Sequence, residues 1–92
     1  MATILKIHFE MPTNLDDMFT LAPGGQIMPS RNVNIPGIEM GDYLLFFNDI
    51  DVRGRNESLD FSQWLRDRNV RPKQRTHMLV LKFATGIDDL LR

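Results

Sequence analysis

Residues 43–47, Tyr-Leu-Leu-Phe-Phe, constrain the fold more than any other stretch of this 92-residue chain. Five apolar residues in a row put apolar side chains on both faces of a strand, so that strand needs cover on both sides. Turn chemistry brackets the run. Gly41-Asp42 enters it, since glycine accepts positive φ and aspartate can bond its own following backbone. Asn48-Asp49 leaves it, and Ile50-Asp51-Val52 then reads as a second short strand ending at Arg53-Gly54. The rest of the chain has to supply the cover.

Two flanking stretches have the period of a strand. In residues 3–10, Leu5, Ile7 and Phe9 alternate with Ile4, Lys6 and His8, which predicts a half-buried strand. Residues 77–83, His-Met-Leu-Val-Leu-Lys-Phe, predict another. Pro12, Thr13 and Asn14 break the first strand, and residues 18–22 suggest a short one before a Pro23-Gly24-Gly25 turn. Residues 26–28 and 33–35 read as short extended pieces interrupted by Pro29 and Pro36. The period changes at 57–69, where Phe61, Trp64 and Leu65 fall at i, i+3 and i+4 on one helical stripe. Asn56 or Ser58 suits the helix cap and Asp60 the first turn, and Pro72 forbids continuation. Residues 86–92 read as a last helical turn or a tail. The expected architecture is α+β: five to six short strands with one main helix packed on a sheet.

The size fits one domain spanning residues 1–92. With no cysteine among the 92 residues, disulfides, thiolate metal sites and cysteine nucleophiles are excluded. The opening residues lack a signal-peptide pattern and no apolar run reaches the ~20 residues of a membrane span, so a cytoplasmic protein with no membrane contact is expected. The Asn56-Glu57-Ser58 triplet is read as a chance match to a glycosylation acceptor. The net charge of −1 conceals an asymmetry. Residues 1–50 hold two basic residues against six acids, whereas residues 51–92 hold nine against six.

The order Gly41-Asp42, Leu44-Leu45, Asn48-Asp49, Asp51-Val52, helix and final strand resembles the second half of a PDZ domain, over about residues 37–83. The resemblance implies a small, partly open β-barrel or sandwich, and a peptide groove between the helix and a strand. The groove would lie between Ser58, Ser62 and Leu65 on one side and Met18, Phe19, Thr20 and Leu21 on the other. An extended segment would add there as a strand, held by backbone hydrogen bonds. The first half departs from the family. Where a glycine loop would bind a terminal carboxylate, Leu15-Asp16-Asp17-Met18-Phe19 has no glycine and two acids, which repel an anion. Residues 24–47 are also similar to the swapped-hairpin arms of AbrB and MazE proteins, which implies DNA binding, but the matching stretch offers only Arg31.

No residue set predicts catalysis, a metal or a cofactor. His8 and His77 lie in separate strands and would approach only if those strands pair; two histidines without a carboxylate ligand pattern do not make a zinc site. The acid pairs Asp16-Asp17, Asp49/Asp51 and Asp88-Asp89 read as turn and cap residues. Ser30, Ser58 and Ser62 have no nucleophile-elbow context, and no Gly-Lys-Ser/Thr follows Gly24-Gly25. Arg66, Arg68, Arg71, Lys73 and Arg75 form a basic segment suited to an acidic protein surface and, second to that, to phosphates. Phe46, Phe47, Phe61 and Trp64 are expected in the core. Met11, Met18, Met28 and Met40 are expected mainly to fill it, with any exposed subset available to a partner. The expected function is a non-catalytic protein-interaction module. The alternatives are a small phage-type inhibitor that blocks a host protein or nucleoprotein complex, and the swapped-hairpin DNA binder.

Overall fold

In the computed structural model, which describes residues 3–28, 35–53 and 61–82, the alternating N-terminal stretch forms β1, Thr3–Glu10. It runs antiparallel to β6, Arg75–Lys82, over eight residue pairs without a register shift. Between them lie β2 (Thr20–Leu21), β3 (Ile27–Met28), β4 (Tyr43–Phe47), β5 (Ile50–Asp51) and the helix α1 (Phe61–Asp67). Among the described residues the strands make a four-stranded antiparallel sheet in the order β1-β6-β4-β5 and a two-stranded sheet, β2-β3. Neither sheet closes on itself, and the described residues form a small α+β arrangement with six strands and one α-helix.

β4 is covered on both faces. Leu44 and Phe47 enter the main core with Ile7, Met78, Val80, Val52 and Ile27. Leu45 joins Leu81 in a second cluster on which Tyr43, Phe46 and Leu79 pack. A register shift between Leu44 and Phe46 accompanies this division, as a bulge re-aims a side chain. Phe46 differs from the expectation for the aromatics. It is only half-buried, and the Arg53 guanidinium lies 5.2 Å from its ring centroid.

α1 docks through the predicted stripe. Phe61, Trp64 and Leu65 are all buried. Phe61 stacks on Phe19 at 5.2 Å and on Trp64 at 5.4 Å, and meets Phe47 edge-on at 5.6 Å. Such ring pairs add about 0.5–1.5 kcal/mol each beyond the area they bury. The helix ends earlier than Pro72 would require. Asn69 takes the left-handed conformation, φ 56°, its N–H bonds the Arg66 carbonyl, and the Val70 N–H reaches back to the Leu65 carbonyl. This Schellman arrangement satisfies the last carbonyls. The helix start expected at 57–60, the piece at 33–34, Phe83 and residues 86–92 lie outside the described residues. No helix among the described residues is long and apolar enough to cross a membrane.

The Gly41-Asp42 turn forms with Gly41 at φ 97°, a conformation glycine adopts without penalty. Asp42 does not bond its own following backbone. Its carboxylate accepts from the Glu39 N–H at 2.8 Å and from Lys82 Nζ at 2.6 Å, and its carbonyl accepts from the Ile27 N–H at 2.7 Å. Lys82 Nζ also donates to the Gly37 carbonyl. One side chain thus ties the 35–42 loop to the end of β6, with the Asp42 and Lys82 side chains only 6% and 12% exposed. Removing one partner strands the other charge in a poorly hydrated place, so Asp42→Ala should cost about 3 kcal/mol in urea unfolding. Asp42→Ala combined with Lys82→Met should recover part of that loss. A single-variant cost below about 1 kcal/mol would contradict the role given to this pair.

Candidate functional site

The predicted groove between α1 and the Met18–Leu21 stretch is filled by its own walls. Met18, Phe19, Leu21 and Leu65 are buried core residues, each at most 5% exposed. The Ser62 hydroxyl donates to the Leu15 carbonyl at 3.3 Å, which draws the helix onto the 3-10 turn at Leu15–Asp17. Thr20 alone of these residues is exposed, and β2 pairs with β3 through Thr20–Met28 and Leu21–Ile27. Ser58 lies outside the described residues. The loop where a carboxylate would dock has its donors engaged: the Asp16 N–H bonds the Asn14 side chain, Asp17 N–H the Asn14 carbonyl, and Met18 N–H the Leu15 carbonyl.

The basic segment is divided by its surroundings. Arg66 pairs with Asp16 at 2.7 Å, and the Arg68 guanidinium lies 4.0 Å from the Trp64 ring centroid. Arg71 and Lys73 sit in the exposed turn between α1 and β6, where Lys73 adopts φ 63° and the Arg71 N–H bonds the Gln74 side chain. Arg75 opens β6, opposite Glu10 of β1. Met11 and Met18 fill the core, whereas Met28 and Met40 are 40% and 75% exposed.

The outer face of the large sheet gathers the remaining polar groups in rows. Because β1 and β6 pair, His8 and His77 are cross-strand partners, with ring centroids 5.9 Å apart. His77 Nε2 stands 3.7 Å from an Asp49 carboxylate oxygen. Lys6 lies opposite Leu79, which lies opposite Phe46. Lys6, Phe46, Asn48, Asp49, His77 and Leu79 line a shallow open hollow of about 210 Å³. At its rim the Arg53 guanidinium makes a forked bond to Asp51, and that bond, with the attraction of the two charges, holds it above its ordinary pKa. Among the described residues no three His, Asp or Glu side chains converge as a metal-ligand set.

The outer edge of β1 is the feature sequence reasoning passed over. The His77 carbonyl accepts from the Asn48 N–H on the β4 side, and the Met11 N–H donates to the Gln74 carbonyl. Antiparallel bonding alternates, so Thr3, Leu5, Ile7 and Phe9 direct their backbone groups to β6. Ile4, Lys6, His8 and Glu10 direct theirs away from the sheet. Those four residues are exposed, and among the described residues no strand lies on the side to which these backbone groups point. Alternation alone could predict the strand, but only the strand order reveals which side lacks a neighbour. No protein-family profile, curated protein or solved structure matches the chain.

These placements separate core residues from surface residues in a measurable way. Leu65→Ala should cost about 2–5 kcal/mol in denaturant unfolding, as for a filled core position. Arg71→Glu with Lys73→Glu should stay within about 0.5 kcal/mol of the parent. A near-neutral Leu65→Ala would mean that Leu65 lines an open groove after all.

Proposed function

We propose that this chain is a small non-catalytic protein-interaction module that binds by adding an extended segment to the open edge of β1. The binding mode is the one implied by the PDZ resemblance; its place is different. With Phe19, Leu21 and Leu65 in the core, the helix–strand groove has little left to offer a peptide. The observation that carries the reading is the row of outward backbone groups on Ile4, Lys6, His8 and Glu10. An eight-residue strand that is unbroken by proline or bulge and lies at a sheet edge is a ready template for another strand. Backbone bonds would supply affinity, while Ile4, Lys6, His8 and the neighbouring hollow would select side chains.

His8→Pro tests this directly. It removes an N–H that points away from β6, and edge strands tolerate proline where the N–H faces solvent. Unfolding should remain cooperative, while proteins retained from lysate by the parent chain are released. The same substitution should leave binding untouched if the contact lies elsewhere, so undiminished retention by folded His8→Pro overturns the reading. Arg71→Glu with Lys73→Glu serves as the comparison and should retain the same proteins.

A further inference from the structure

Resting on the strand-addition reading, we infer that the segment added to β1 is β1 of a second copy of this chain, in an antiparallel register centred on His8. Residues 6–10 of the strand are their own complement about that residue. Two positions before His8 stands Lys6 and two after it stands Glu10; one before is Ile7 and one after is Phe9. A two-fold axis at His8 therefore sets Lys6 opposite the partner copy's Glu10 and Glu10 opposite its Lys6. Ile7 meets Phe9. Opposite charges and aromatic–branched pairs are the combinations that favour cross-strand pairing.

Backbone geometry agrees with the same register. Lys6, His8 and Glu10 are the residues whose N–H and C=O groups face the open edge, so these positions become hydrogen-bonded pairs. Neighbouring registers that keep this bonding phase are worse. An axis at Lys6 opposes two like charges, and an axis at Ile7 sets Glu10 against Ile4. Charge also alternates along the resulting row, because Arg75 of β6 already lies opposite Glu10 on its other side. Leu5, 38% exposed, and half-buried Phe9 gain cover at the junction. The product is an isologous dimer with one eight-stranded sheet.

Sedimentation velocity and light scattering on the purified chain test this, with charge reversals fixing the register. The parent chain should dimerise with rising concentration. Lys6→Glu or Glu10→Lys alone should weaken the dimer on the order of tenfold, because each creates two like-charge pairs. An equimolar mixture of the two single variants should form the heterodimer, in which both pairs are again opposite. The double variant, Lys6→Glu with Glu10→Lys, should recover self-association. Circular dichroism verifies that each variant folds, and the mixture and double variant keep the test valid if one single variant does not. Hydrogen exchange should show new protection at the amides of Lys6, His8 and Glu10 on dimerisation, with Ile4 unchanged. A chain that stays monomeric in every combination, or a dimer indifferent to the charge reversals, overturns the self-pairing. A dimer that persists in folded His8→Pro also overturns the self-pairing, whereas undiminished retention of lysate proteins by that variant overturns strand addition itself, which separates the two failures.

Discussion

The double pairing of β6 is the constraint on which the rest of the structure depends. Arg75–Lys82 bonds β1 on one side and β4 on the other, so the large sheet has no centre without it. Its alternate residues Met78 and Val80 enter the main core, and Leu81 anchors the smaller cluster on the opposite face. Lys82 closes the arrangement by holding Asp42 and the loop that leads into β4. Sheet, core and loop therefore share one strand.

Around that strand the chain divides its labour by face. The inner face carries the apolar side chains that α1 and the β2–β3 pair cover. The outer face carries the small Leu45–Leu81 cluster, the paired histidines and, at its margin, the charged residues of β1 and the Arg53–Asp51 fork. This division is possible because the side chains of each strand alternate between the two faces of the sheet. The unpaired margin of β1 follows from the same topology: with β6 between β1 and β4, β1 has a single neighbour among the described residues.

Legibility in the sequence followed the amount of local pattern. Thr3–Glu10 and Tyr43–Phe47 have the expected bounds, because alternation or bracketing turns fix them locally. The Phe61, Trp64 and Leu65 stripe was equally plain, yet the groove reading asked Leu65 to face both the core and a ligand. One helical stripe cannot do both. The two-residue strand Thr20–Leu21 has too little alternation to reveal its buried side, and Phe19 is stacked on Phe61 of α1, far along the chain. The basic segment was legible as charge but not as pairing: Asp16, the partner of Arg66, is fifty residues away. The open edge was illegible for a similar reason, since strand order is a tertiary property.

The position of β6 in the sequence also sets a clock during synthesis. β1 is made some sixty-five residues before its native neighbour begins, an interval of about 3–13 s at ~5–20 residues per second. Through those seconds the margin of β1 that β6 will occupy lacks its native bonds, and neither turn chemistry nor local helix formation can satisfy them early. Folding of the large sheet thus waits on a non-local closure, the slow kind of step for a domain of this size. Residues 6–10, whose charges are complementary about His8, spend that interval without β6 beside them, so under the proposed self-pairing Lys6 and Glu10 also restrict which alignments two unfinished copies can form.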